Sequence, residues 1–459
     1  GFLYDARLSG NGTISCATCH IDADRDGLAW DLGDPGGSMV TVVAAALAGH
    51  SQTLINKQLH PMKGPLITQT LRGLATNDAN AVDTATGTTN PPAAVATKFH
   101  WRGDKPSIQS FNTTFPNLMG GTLIPNARMD QLTEYLRSIV HHPNPNRNLN
   151  RTLRSDLPEG NAVSGLTLFN DHAKSHCIVC HDYNSGTNQN IDDHESVEKL
   201  QPIKNPPLRT VYQRAGFFQP TAGANSLSGF GLGSDGTGSV MPIVHPYSLD
   251  ILDEPPLTSK KLADLANLTA FLLSYDTNTA PAASFDLTLN PSTKSNSTLL
   301  TQLGTLESQA ALGSSALVAW GQVGAKKRKF SWSGATSRYV PDDNTTPLTR
   351  TALLALITGT DSLTFAGILI SESTWRGLDR NANGISDQLE TAPQATIQRD
   401  GTRLQLHWPQ RDWYPESSPN LLPPWQPALG DLELDGTVWK MTLPTETQPS
   451  QFYRLRRTW

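Results

Sequence analysis

Ser15-Cys16-Ala17-Thr18-Cys19-His20, near the start of the chain, and Cys177-Ile178-Val179-Cys180-His181, further along, decide how the rest is read. Together they use all four cysteines. Two thiols three positions apart can add to the two vinyl groups of one haem, and the histidine that follows is then held under the iron. The other readings of Cys-x-x-Cys are a zinc site made from all four cysteines or a redox-active dithiol. Neither needs a histidine directly after the second cysteine, and here it is present twice. The motifs predict two covalent c-type haems, attached through Cys16, Cys19, Cys177 and Cys180, with His20 and His181 as proximal ligands.

The bulk properties set bounds around that core. At 459 residues the chain is too long for one ordinary core, and two or three domains are the natural expectation. A net charge of -5 and the lack of any basic run give no footing for nucleic acid. No stretch approaches the roughly 20 apolar residues that span a bilayer. Haem is attached to such motifs outside the cytoplasm, so an exported, periplasmic or extracellular protein is expected, with its signal peptide removed. Thirty-six glycines, 32 prolines and 17 % charged residues describe a loop-rich secreted chain rather than a helical bundle.

Four segments follow from the patterning. Residues 1–150 and 151–278 read as two cytochrome c-like haem domains, mainly α. A helical pattern covers Met39 to Leu47, and a polar Ala/Thr-rich loop covers Asn77 to Thr97. Met129 to His141 carries Leu132, Tyr135, Leu136 and Ile139 at helical spacing, ended by Pro143 and Pro145. A further helix is expected from Ser259 to Tyr275. Residues 279–392 read as a mixed connecting segment with a helix near Leu299 to Leu312. Residues 393–459 read as a small antiparallel, β-sandwich-like module. Leu404 and Leu406 alternate after Asp400-Gly401, as do Trp439, Met441 and Leu443 after Asp435-Gly436. Its aromatics Trp408, Trp413, Trp425 and Trp439 are expected to be core rather than contact surface.

Leu3-Tyr4-Asp5-Ala6-Arg7-Leu8-Ser9-Gly10, running into the first motif, resembles the opening of the bacterial dihaem cytochrome c peroxidase and MauG superfamily. Lys204-Asn205-Pro206-Pro207-Leu208-Arg209-Thr210-Val211 resembles its segment after the second haem. Phe99-His100-Trp101-Arg102-Gly103-Asp104 resembles a rearranged form of its "FWDGR" segment. The likeness covers roughly residues 1–276 and implies two haem domains that pass electrons between them. It also implies that the helix normally preceding the first segment lies upstream, with a whole domain a further option. More weakly, the connecting segment resembles parts of large exported proteins of environmental bacteria, in which a β-propeller often precedes such a unit.

Sixth ligands decide the chemistry, because an iron with two protein ligands moves electrons and one with an open face can bind peroxide or oxygen. By the resemblance His60, in His60-Pro61-Met62-Lys63-Gly64-Pro65, is the first candidate at the first haem, with His100 and Met62 as rivals. At the second haem Met241 is the first candidate and His245 the second. Trp101 matches the tryptophan that the family places between its haems for electron transfer. Family peroxidases also carry a glutamine and a glutamate beside the open face. Here Gln109 falls near the first position, but Gly120-Gly121 falls near the second, and no acid lies between Asp104 and Asp130. The resulting expectation is an electron-transfer protein serving a redox partner protein or a larger assembly. The alternative is a peroxidase or MauG-like oxidoreductase with one open haem face.

Calcium is the remaining expectation. Asp379-Arg380-Asn381-Ala382-Asn383-Gly384-Ile385-Ser386-Asp387-Gln388-Leu389-Glu390 fits the twelve-residue calcium loop. Oxygen side chains fall at positions 1, 3, 5, 9 and 12, the Ile385 carbonyl at 7, and a glycine at the sharp turn. An Asx-rich turn capping a helix is the plainer reading. Asp22-Ala23-Asp24-Arg25-Asp26-Gly27 is a partial version with Asp31 nearby. Either site would be structural.

Overall fold

The computed structural model describes residues 1–41, 58–74, 82–83, 88–89, 99–103, 105–171, 175, 177–181, 183, 186–192, 202–214, 231–236, 258–379, 385–390, 393–400, 403–409, 413–420, 423–435, 438–443 and 452–457. Gly1–Ala283 and Ser284–Trp459 form separate compact units.

In the first unit each cysteine motif sits on a single helical turn, α1 (Cys16–Cys19) and α4 (Cys177–Cys180). Ser15 and Thr18 close a capping box around α1, which satisfies the donors that so short a turn leaves open. Two-stranded pairing of β1 (Ala29–Trp30) with β2 (Leu66–Ile67) follows. Helix α2 (Asn126–Ser138) buries Met129, Leu132, Thr133 and Leu136. They join Leu3, Ala23, Ile108, Phe115, Met119 and Ile124 in a core on which Cys16 and Ala17 rest. Tyr135 points to solvent instead. A second core gathers around α3 (Ala162–Phe169) and α5 (Ser259–Leu273), with Cys177 and Ile178 packed against it. The two motifs thus rest on two separate apolar clusters.

The C-terminal end of α5 is pinned to the loop that joins the two halves. Arg151 forks onto Asp276 with Nε and Nη2 at 2.7 and 2.9 Å, and Arg147 stands 3.4 Å from the same carboxylate. Asn144 Nδ2 donates to the Leu273 and Tyr275 carbonyls, and Arg147 Nε to that of Ser274. Burial pushes the Asp276 carboxyl up, but Arg147, Arg151 and the Asn278 N–H outweigh it and hold the group well below the usual carboxylate range.

The second unit holds a five-stranded antiparallel sheet. Its strands are β3 (Asp286–Leu289), β4 (Ala316–Val323), β5 (Lys326–Ser333), β6 (Arg338–Pro341) and β7 (Ser362–Ile368), in the order β6-β5-β4-β7-β3. Helix α6 (Ser297–Ala311) buries Leu303 and Leu306. It also presents the buried Glu307, which accepts from Tyr339 Oη at 2.7 Å and pairs with Arg350. Two smaller antiparallel sheets follow. One runs β8 (Thr396–Asp400), β9 (Arg403–Trp408), β13 (Val438–Thr442), β12 (Asp431–Asp435); the other runs β11 (Gln426–Pro427), β10 (Trp413–Ser418), β14 (Phe452–Arg457). Leu406, Trp408 and Met441 from the first meet Trp413, Tyr414, Tyr453 and Leu455 from the second in one cluster. Arg454 covers Trp425, its guanidinium 4.5 Å from the ring centroid.

This corrects the expected fold class, a mainly α haem region followed by a mixed connector and a small β module. The described residues are mixed α and β, 29 % helical and 24 % strand, with several antiparallel sheets. Two physical causes account for the difference. The motif helices are single turns, and other parts of the unit turn in short 3-10 segments such as Ile108–Thr113 and Leu208–Gln213. The connecting stretch builds a sheet whose strands Ala316–Val323 and Ser362–Ile368 are buried over much of their length and whose strand Lys326–Ser333 opens on a run of charge, so a period of two is faint in the sequence. Of the expected helix at Met39 to Leu47, residues 42–47 lie outside the described residues, and Val40–Thr41 is strand.

Candidate haem cavity

Both motifs open onto one cavity of about 1,920 Å³ within the first unit. Ordinary small-molecule sites occupy roughly 300–1,000 Å³, so there is room for two large groups. Cys16, Cys19 and His20 line it from the first half, and Cys177, Cys180 and His181 from the second. Within each motif the cysteines stand three positions apart on one turn of helix, the spacing that puts side chains on a common face.

The two histidines are oriented in the same way. Nδ1 of His181 lies 2.9 Å from the Gly186 carbonyl, and Nδ1 of His20 lies 3.3 Å from that of Asp24. A carbonyl only accepts, so Nδ1 carries the proton, and in the neutral ring Nε2 keeps its lone pair. Backbone anchoring of this kind fixes tautomer and ring angle in metal-ligating histidines. Burial lowers the His20 pKa, which keeps the ring neutral as an iron ligand must be. Gly186 is held at φ +77, and a Cβ there would stand 2.8 Å from the Leu208 nitrogen, so glycine is required where its carbonyl meets His181. Burial pushes the Cys16, Cys19 and Cys177 thiols up, opposite to the direction of redox-active dithiols. Among the described residues, no three His, Cys, Asp or Glu side chains converge as a metal cage.

Trp101 lies at the seam between the halves and also lines the cavity. It is 5 % exposed and clusters with Ile67 and Ile203. Its Nε1 donates to the Ile67 carbonyl at 2.8 Å, and its own carbonyl accepts from the Lys204 N–H at 2.7 Å.

His60, Met62 and His100 are the described candidates for a sixth ligand; Met241 and His245 lie outside the described residues. His60 lines the cavity but is exposed, and its Nδ1 accepts the Met62 N–H at 3.0 Å. In the neutral ring that places the proton on Nε2, the nitrogen a distal ligand would offer. His100 also lines the cavity, in a left-handed conformation at φ +66, with its ring edge-on to Phe111 at 4.6 Å. Met62 is absent from the cavity wall described here; its carbonyl accepts from Arg102 Nη2 at 3.2 Å.

The peroxidase positions are placed away from this wall. Gln109 Nε2 donates to Asp130 at 3.1 Å on the surface. Gly120 and Gly121 pack backbone to backbone on Leu8 to Gly10, where a Cβ on Gly121 would fall 2.0 Å from the Leu8 oxygen. No side chain of any kind fits there. Among the described residues Asp34 is the acid that lines the cavity.

The calcium candidates divide. Asn381, Asn383 and Gly384 lie outside the described residues, so the loop's geometry is not described. Asp387 is 3 % exposed and its N–H donates to the Leu378 carbonyl at 2.7 Å, whereas Ile385 is exposed. Asp379 and Glu390 are half-buried. In the partial loop, Asp26 accepts from the Leu28 N–H and from Trp30 Nε1, and Asp24 pairs with Arg25. These carboxylates already have protein partners.

Sequence reasoning missed the arginines of the cavity wall and the buried His141. In the sequence they are isolated residues, and only the fold brings them together. Comparisons with known proteins add little: no protein family matches the sequence, and no curated protein does. Among solved structures, hydrazine synthase of Kuenenia stuttgartiensis pressurised with 20 bar xenon is similar at 18 % identity and a TM-score of 0.31. The match covers 60 % of this chain and 84 % of that one. So weak a likeness carries no argument about fold or activity.

Proposed function

We propose that the chain is a dihaem c-type cytochrome that moves single electrons between two haems and on to a redox partner or larger assembly, outside the cytoplasm. The observation that carries the reading is the shared cavity: two Cys-x-x-Cys turns and two carbonyl-anchored histidines face one large space, with Trp101 at the seam between their halves. The donor set suits haem. The cysteine pairs would hold its vinyl positions as thioethers, His20 and His181 would ligate iron, and the apolar wall would exclude water from the macrocycle. When bound, haem supplies one-electron chemistry at iron. This chain's own residues set where that happens and how far apart the two centres sit.

The reading extends the resemblance to the dihaem cytochrome c peroxidase and MauG superfamily. Electron transfer is favoured over peroxide chemistry because Gly121 leaves no room for a side chain, Gly120 is held in a left-handed conformation that favours glycine, and Gln109 faces solvent. O–O cleavage relies on a positioned acid–base group. At the first haem His60 and His100 both line the cavity and remain the candidates for the sixth position, with His60 first by the family resemblance. Calcium at residues 379–390 remains part of the proposal, on the sequence pattern. Among the described residues no helix is long and apolar enough to cross a membrane.

Low-temperature EPR of the mixed-valence protein, one haem reduced and one oxidised, tests this. Low-spin ferric signals throughout are expected. A high-spin signal that shifts on adding cyanide would show an open face and transfer the case to the oxidoreductase.

A further inference from the structure

The chain is acidic overall, with a net charge of -5, yet the charged residues described on its largely apolar cavity wall are mostly basic. Arg25, Arg72, Arg209 and Arg214 all line it, against the one described lining acid, the exposed Asp34. Asp24 stands beside the group, 3.2 Å from Arg25 Nε and 3.9 Å from Arg72 Nε. Arg25 Nη1, Arg72 Nε and Arg214 Nε are buried and find no acceptor among the described residues.

An arginine so placed keeps its proton, so an incoming anion rather than deprotonation relieves the cost of burial. Burial, then repulsion from Arg25, pushes Arg214 down to about 9, which marks a cation short of a counter-ion. His141, 6 % exposed, also lines the cavity. Burial and then Arg209 push it down to about 3, so it is a neutral hydrogen-bonding group among the cations.

The four arginines come from both halves of the unit, joined by Arg25 Nη2 donating to Gln213 Oε1 at 2.5 Å. Arg214 also lies over the seam tryptophan, 5.9 Å from the Trp101 ring centroid. We propose that Arg25, Arg72, Arg209 and Arg214, with His141, form one carboxylate-binding site across the seam, filled by the propionate side chains of the bound haems. The inference rests on the dihaem reading for the identity of the carboxylate, while the site itself stands on the arginines. A propionate bound here ties both halves to one ligand and makes each haem's potential depend on arginines of the other half.

The test uses holoprotein carrying Arg25→Met, Arg214→Met or Arg25→Lys, with potentials read by spectroelectrochemistry and free acetate as the competing carboxylate. Removing a cation beside a propionate favours the oxidised haem. Each Met variant is expected to lower one potential by a tenfold change in the reduction equilibrium, about 59 mV for one electron. Arg25→Lys should recover most of the shift, and acetate should not move the wild type. If free carboxylate is the ligand instead, acetate moves the wild-type potentials and Arg214→Met abolishes that response. Haem-replete Met variants with wild-type potentials, with and without acetate, overturn the site. A wild-type chain without haem defeats the dihaem reading separately. The site must then appear as acetate raising the melting temperature of wild type but not of Arg214→Met, and no such rise overturns it too.

Discussion

At the scale of single residues, the strongest commitments are polar groups held where only one arrangement satisfies them. Asp276 is one. Its pKa is lower in the folded chain than the unfolded value of about 3.9. Its stabilisation is therefore complete above that value and is lost as pH falls through the folded one. Asp276→Asn leaves Arg147 and Arg151 buried against a neutral amide and is expected to cost about 3–5 kcal/mol at neutral pH. Urea melts at pH 7 and pH 3 check this, because the variant's deficit should shrink in acid; an equal deficit at both would contradict the assignment. The axial histidines make a second residue-scale prediction. His60→Ala should change the low-spin EPR signal of the first haem more than His100→Ala does; the reverse order would give the sixth position to His100, and no change with either would remove both. His181→Ala should keep its haem covalently attached through Cys177 and Cys180 while altering the ferric spectrum.

At the scale of elements, close approach explains more than propensity does. Helices α3 and α5 cross where Gly165 sits, and a Cβ there would fall 2.0 Å from the Asn267 oxygen and 2.7 Å from Phe271 Cβ. Gly165→Ala is expected to destabilise the protein by about 1–3 kcal/mol through overpacking, read as a lower melting temperature; an unchanged melt would mean the helices can separate freely. Elements with a strong period were legible in the sequence. The pattern at Met129 to His141 corresponds to helix Asn126–Ser138, that at Ser259 to Tyr275 to helix Ser259–Leu273, and the alternations beside Asp400-Gly401 and Asp435-Gly436 to strands Arg403–Trp408 and Val438–Thr442. The five-stranded sheet was not legible. Ala316–Val323 and Ser362–Ile368 are central strands buried over much of their length, and Lys326–Ser333 opens on a run of charge. None shows the clean alternation of a half-buried strand. Side-chain partners such as Glu307 with Tyr339 and Arg350 depend on tertiary approach and leave no local signal.

For the whole molecule, two cores, two cysteine motifs and one cavity with arginines on its wall belong to a unit that ends at Ala283, and the larger antiparallel sheets belong to a second unit. The motifs were the legible part of the site, since chemistry fixes their spacing. The cavity that unites them was not, because His141 and the arginines are brought together from distant stretches of chain, and Trp101 was reached only through the family resemblance. The central claim is that both motifs carry haem covalently, and intact mass spectrometry under denaturing conditions tests it most directly. The account predicts the chain mass plus two haems for protein matured in an export-competent host. It predicts the loss of one haem for Cys16→Ala with Cys19→Ala, and of the other for Cys177→Ala with Cys180→Ala. A denatured chain at its bare polypeptide mass, from a host proven to mature other c-type cytochromes, would contradict it.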